Sequence, residues 1–195
     1  MPRTSRTLLS VGVAAVLVTA VVVGIGVLRR TPPPKAPVDP LATPLSAVDT
    51  TGLTVRRASF CVRVGDRTAA AALGAPVSTR ASYRPGQSVA VTPTLTDVVD
   101  EYGCSWSAAS GATARFWVFG PPVTAAQAQR LAAQVPPGCT RAKAPAYGAP
   151  TSALTCDGTV LLRGLFGDAW LSCELTTASV GRAGRWCLAV ARAAS

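Results

Sequence analysis

The chain has 195 residues, of which 49% are hydrophobic and only 14% charged, with a net charge of +10 and no histidine. A chain of that length holds one domain plus an anchor. Without histidine there is no Ser-His-Asp or Cys-His catalysis, and no His-containing zinc site.

The first seven residues form a short tail, too small to fold. Leu8 to Leu28 then reads "LLSVGVAAVLVTAVVVGIGVL", 21 residues without a charge. As a helix rising about 1.5 Å per residue it covers roughly 30 Å, the hydrocarbon thickness of a bilayer. Two readings compete, a cleaved signal peptide and an uncleaved signal-anchor. A signal peptide has an apolar core of about 7–15 residues and a small-residue cleavage site. This run is longer and no A-x-A site follows it, which favours the transmembrane signal-anchor. There is no lipobox, since the first cysteine is Cys61.

Orientation is not fixed by basic residues alone. Arg3 and Arg6 precede the run; Arg29, Arg30 and Lys35 follow it. That balance does not favour the N-terminus inside. All six cysteines, however, come after the anchor, and an even number in a small domain fits an oxidising compartment. The expectation is a single-pass membrane protein with a cytoplasmic tail and an extracytoplasmic C-terminal domain.

Residues 29–54 form a linker. Its stretch "TPPPKAPVDPLATP" has six prolines, each fixing φ and removing a backbone donor. An extended spacer that lifts the domain off the membrane follows from that composition.

The folded domain is expected over residues 55–195. A first helix runs from Gly65 to Gly74, with Asp66 capping its first turn and Gly74 closing it in a left-handed conformation. Residues 75–100 read as irregular, with a turn at "RPGQ". Two strands follow, "CSWSA" and "ATARFWVFG", joined at Gly111. In "TAAQAQRLAAQV", Thr124 and Gln127 match a capping box, and Ala128, Leu131, Ala132 and Val135 make one apolar stripe. "TVLLRGLF" and "AWLSCELT" flank Gly167-Asp168 as a hairpin. Ala169, Leu171, Cys173 and Leu175 fall on one face of its second strand. A last helix, about Gly181 to Ala194, points Trp186, Cys187, Val190 and Ala191 inward. The expected fold class is α+β: an antiparallel sheet with helices packed on it, preceded by one transmembrane helix and the Pro-rich linker.

Cys61, Cys104, Cys139, Cys156, Cys173 and Cys187 include no C-x-x-C pair. Zinc sites and redox dithiols usually need one, so no metal is expected and the thiols read as disulfides. Six cysteines allow 15 connectivities. The preferred set is Cys61–Cys104, Cys139–Cys156 and Cys173–Cys187, stabilising by about 4, 3 and 3 kcal/mol from loop closure. Cys104 is then structural, with Trp106 on the same strand face as its packing partner.

The pattern "FCVRVGDRTAAAALGAPV" followed by "YGCSWSA" resembles small exported actinobacterial domains of unknown function that share a Cys–ALG–CxW signature, often lipoproteins. The resemblance implies an extracytoplasmic α+β domain with Cys61 bonded to Cys104 and no established activity.

Beyond the linker the acidic residues are Asp66, Asp97, Asp100, Glu101, Asp157, Asp168 and Glu174. Nothing in the sequence places two of them together, and Ser105 and Ser107 lack a base. No catalytic residue, ligand-binding residue, metal or cofactor is therefore assigned. Residues 51–195 carry 14 Arg/Lys against 7 Asp/Glu, scattered rather than clustered. Trp117, Trp170 and Trp186 read as core, so a nucleic-acid surface of exposed aromatics is not expected. The expected function is a non-catalytic envelope module binding an anionic polymer, another envelope component or a protein partner. The alternative is a small cell-envelope hydrolase using acidic residues.

Overall fold

The computed structural model describes residues 39–92, 95–177 and 179–195. The expected anchor, 8–28, lies outside them, as does the linker before residue 39. Among the described residues no helix is long and apolar enough to cross a membrane.

The fold is α+β. The described residues hold nine strands: β1 (Val77–Tyr83), β2 (Ser88–Thr92), β3 (Leu95–Val98), β4 (Glu101–Ala108), β5 (Thr113–Phe119), β6 (Cys139–Arg141), β7 (Thr151–Cys156), β8 (Thr159–Phe166) and β9 (Ala169–Thr176). Seven make one antiparallel sheet in the order β1-β4-β5-β9-β8-β7-β6. β2 and β3 pair separately as a hairpin. The described residues also hold three α-helices: α1 (Cys61–Leu73), α2 (Ala125–Ala133) and α3 (Val180–Ala194).

Helices α1 and α3 pack side by side on one face of the sheet. Alternation along the strands selects the residues beneath them: Cys104 and Trp106 on β4, Phe116 and Val118 on β5, Leu171, Cys173 and Leu175 on β9. Trp106 packs edge-on to Trp186 of α3 at 5.8 Å, and Phe60 stacks on Phe116 at 4.4 Å. Trp186 spends its indole N–H on the Glu174 carbonyl at 3.0 Å, as a buried indole must.

The two helices also terminate one another. Arg182 of α3 donates to the Ala72 carbonyl at 2.8 Å, in the last turn of α1. Arg63 of α1 donates to the Ala193 and Ser195 carbonyls at the end of α3. Each guanidinium thus meets the negative end of the other helix, where carbonyls lack intrahelical partners. Gly74 closes α1 at φ +69, and a Cβ there would collide with the Arg182 guanidinium. Arg182 is thus a cap of α1.

Four features differ from expectation. α1 starts at Cys61 rather than Gly65, and Gly65 is a kink at φ +70 within it. Asp66 does not cap the helix; its carboxylate accepts from the Trp106 indole at 3.0 Å and from Arg80 at 3.4 Å. Residues 75–100, read as irregular, hold β1 and the β2–β3 hairpin, while the "RPGQ" turn is present with Gln87 N–H donating to the Arg84 carbonyl. The packed unit also reaches upstream of Val55. Leu41 and Leu45 are buried in the main core, and Thr50 donates to the Ala146 carbonyl and accepts from Gly148 N–H, both at 3.0 Å.

Three disulfides are formed: Cys61–Cys104, Cys139–Cys156 and Cys173–Cys187. They tie α1 to β4, β6 to β7, and α3 to β9. Three disulfides in so small a domain suit an oxidising, extracytoplasmic compartment.

Candidate functional site

The opposite face of the sheet is only partly covered. Helix α2 is bounded by a complete capping box between Thr124 and Gln127. Ala128 and Ala132 are buried, and together with Val123 they form a small second core against Leu165 and Trp170 of the hairpin. Val135, expected on the same stripe, lies beyond the helix end and is exposed. The carbonyls at the C-terminal end of α2 are met by two arginines. Arg141 donates to Ala133 O at 2.8 Å, and Arg163 donates to Gln134 O at 2.7 Å and to Ser152 Oγ at 3.3 Å. Arg163 is buried on the sheet; desolvation, with Arg141 nearby, lowers its pKa.

Nine helical residues span roughly 14 Å, whereas seven strands at about 4.8 Å spacing span roughly 29 Å. α2 therefore shields β7 and β8 and leaves β1, β4 and β5 open. The exposed half is where polar chemistry collects. On β4 the side chains pointing this way are Glu101, Ser105 and Ser107, with Gly103 between them. Opposite Gly103 are Tyr83 of β1 and Trp117 of β5. Opposite Ser105 is Arg115, itself opposite Glu174 of β9.

Gly103 decides the arrangement. A Cβ at this position would overlap the Tyr83 ring, so glycine allows the ring to lie directly on the β4 backbone. From there the Tyr83 hydroxyl donates to Glu101 Oε1 at 2.7 Å. Burial raises the Glu101 pKa, against the opposing hydrogen bond from Tyr83 and the charge of Arg115. Burial and the Glu101 carboxylate hold Tyr83 protonated far above its ordinary range.

Arg115 Nε donates to Glu174 Oε1 at 2.5 Å, and its guanidinium carbon sits 5.8 Å from the Trp117 ring centroid. Burial acts to lower the Arg115 pKa, but the hydrogen bond and charge of Glu174 outweigh it and leave it raised. Glu174 is nearly buried and Arg115 half-exposed. Trp117, expected in the core, is half-exposed on this open face, whereas Trp170 and Trp186 are buried. Tyr83, Glu101, Arg115, Trp117 and Glu174 thus form one connected patch whose members fix one another's orientation.

Of the seven acidic residues named from sequence, the structure brings Glu101 and Glu174 onto this face. The others serve elsewhere. Asp168 pairs with Arg57 at 3.2 Å, Asp157 is in the β7–β8 turn at φ 44, and Asp97 accepts from its neighbour's N–H in the hairpin. Asp66 holds Trp106 and Arg80, and Asp100 is exposed. Among the described residues no three His, Cys, Asp or Glu side chains come together around one metal position. The six cysteines are all bonded. In comparisons with known proteins, no family model, curated protein or solved structure matches the chain.

Proposed function

We propose that the protein is a membrane-anchored, extracytoplasmic, non-catalytic binding module, and that the open half of its sheet takes a hydroxyl-rich envelope component, a cell-wall glycan. The transmembrane segment 8–28 and the proline-rich linker behind it would hold this face at the membrane's outer side.

One observation carries the reading. Two half-exposed aromatics, Tyr83 and Trp117, flank the side-chain-free Gly103, with a carboxylate and a guanidinium on either side already locked by internal bonds. An aromatic face accepts the apolar C–H side of a sugar ring. The remaining acceptor and donor capacity of Glu101 and Arg115 suits sugar hydroxyls. Because the groups are fixed before binding, little ordering cost remains when the ligand arrives. This face holds two carboxylates, Glu101 and Glu174, against one guanidinium, Arg115, so a neutral polar ligand fits it better than an anionic polymer would. The anionic polymer expected from net charge has weaker support for a second reason: Arg57, Arg63, Arg141, Arg163 and Arg182 donate to backbone carbonyls.

The hydrolase alternative draws on one feature of the same face, two carboxylates in unlike surroundings. Glu101 has a raised pKa, whereas Glu174 is paired with Arg115. Such a contrast is how acid and base roles separate in glycosidases. Both readings meet in one experiment. The full-length protein is titrated with glycan fragments released from peptidoglycan by muramidase, and the mixture is then assayed for new reducing ends. Binding without turnover, lost in Trp117→Ala, is the expected result. Turnover abolished by Glu101→Gln or Glu174→Gln would replace the binding reading with the hydrolase. Absence of both binding and turnover would remove the glycan assignment.

A further inference from the structure

The two edges of the sheet are built differently. β6 is three residues long and its Cys139 is bonded to Cys156 of β7, directly across the ladder. β1 is seven residues long, five in a row are exposed, and among the described residues it pairs only with β4. Its sequence, "VSTRASY", has no proline, carries one charge, and is bulged only at its start, between Val77 and Thr79. Such a length of unpaired N–H and C=O groups is a template for another strand, which sheet proteins normally blunt with prolines, central bulges or covering elements.

A cleft of about 440 Å³ runs beside this edge, between β1 and the start of α1, lined by Cys61, Val62, Gly65, Asp66, Arg80 and Ser82 among others. Val62 is 92% exposed and is the most exposed large apolar side chain among the described residues. The Gly65 kink lets α1 turn while presenting Val62 along the edge. Residues 56–84, which hold α1, β1 and their flanks, have six arginines and one acid, Asp66. Arg80, at mid-strand, is 3.4 Å from Asp66 with both side chains largely exposed. An exposed pair of that kind contributes little, so Arg80 can exchange Asp66 for an incoming carboxylate.

We infer that β1 is a docking edge for an extended acidic segment of a protein partner, which adds as an eighth strand. Its backbone pairs with the outer side of β1, a carboxylate meets Arg80, and an apolar side chain enters the cleft over Val62. Strand addition draws affinity from main-chain hydrogen bonds and specificity from alternate side chains, so an alternating acidic–apolar sequence matches this edge. A second copy of the chain fits it poorly, because pairing two β1 edges brings together two arginine-rich regions of molecules carrying +10 each. The site shares β1 with the open face but uses its free edge and the cleft on the inner side, and it does not depend on the glycan reading.

The test uses the full-length protein and a seven-residue peptide of alternating Glu and Val. Three controls accompany it: the Lys/Val version, the Glu/Val peptide N-methylated at alternate residues, and the Arg80→Glu protein. The expected result is binding of the Glu/Val peptide with slowed amide exchange along β1. Binding should be at least about tenfold weaker for Arg80→Glu and lost on N-methylation. Arg80→Glu replaces an exposed ion pair with two exposed like charges, a small effect in solvent, so its thermal unfolding should stay within a few degrees of the parent and keep the comparison valid. Equal binding of the N-methylated peptide would show charge adsorption without strand addition and overturn the proposal. So would no binding of the Glu/Val peptide. A dimer with β1 amides protected in the absence of peptide would assign the edge to a second copy instead.

Discussion

Two arginines on the outer face of the sheet sit in contrasting settings, Arg163 under α2 and Arg115 in the open. Both project from central strands, and β9 lies between them: Ser172 faces Arg163 and Glu174 faces Arg115. Arg163 is buried, has no carboxylate among its hydrogen-bond partners, and holds down the last carbonyl of the helix above it. Arg115 is half-exposed, paired with a carboxylate and laid against an indole. A short helix makes the difference. Where α2 reaches, the face is a small core that uses its charge for capping. Beyond its reach, the same face is a polar patch in which Glu174 is paired with Arg115, Glu101 is held by Tyr83, and the aromatics stay accessible. The inner face is a core from β4 to β8, covered by two helices and the 41–55 segment, and the β1 edge is exposed beside it.

That contrast predicts a gradient of mutational cost. The largest effect belongs to the inner face. Trp186→Ala removes a fully buried indole together with its bond to the Glu174 carbonyl and should cost about 4 kcal/mol in urea unfolding. Next is Arg115→Ala, which strands the nearly buried Glu174. Breaking a fully buried pair costs about 3–5 kcal/mol; because Arg115 is half-exposed, about 2 kcal/mol is expected.

Glu101→Gln tests the pKa argument. Burial raises the Glu101 carboxyl above its ordinary value, so the folded state holds that proton more tightly than the unfolded chain. The resulting stability is fully present below the ordinary glutamate range and is lost as pH rises through the raised value. The variant lacks this loss. Its stability relative to the parent should improve across that window and lie within about 1 kcal/mol of the parent at pH 7, as followed by thermal melts at a series of pH values. The smallest effect on stability is expected for Trp117→Ala, about 1 kcal/mol, with glycan binding lost. If Trp117→Ala destabilised as much as Trp186→Ala, the two faces would not differ in kind.

Much of this fold was legible because strong local chemistry agreed with it. The Gly167-Asp168 hairpin, the Thr124/Gln127 capping box and the alternation that sends Leu171, Cys173 and Leu175 inward each appear where expected, and the preferred cysteine pairs are those formed. β1 was missed for a physical reason. An edge strand exposed on both sides needs no apolar alternation, and "VSTRASY" has almost none. The Asp157-Gly158 turn between β7 and β8 is a hairpin signal of the same kind, with both residues at positive φ. The open-face patch was hidden by two misreadings with separate causes. Tyr83 fell in the stretch read as irregular, and Trp117 was grouped with the core by residue type, although alternation with Phe116 and Val118 places it outside. Nothing local in the sequence brings Glu101 and Glu174 to one face, since that depends on β9 inserting beside β5.

The most direct test of the open face as the recognition surface uses the four indole N–H groups as reporters. Trp106, Trp170 and Trp186 are buried, and only Trp117 is half-exposed. In the full-length protein labelled with ¹⁵N-tryptophan, muramidase-released glycan fragments should shift the Trp117 indole resonance and leave the other three in place. Saturable glycan binding with Trp117 unmoved, or with Trp106 moving in its place, would contradict the account.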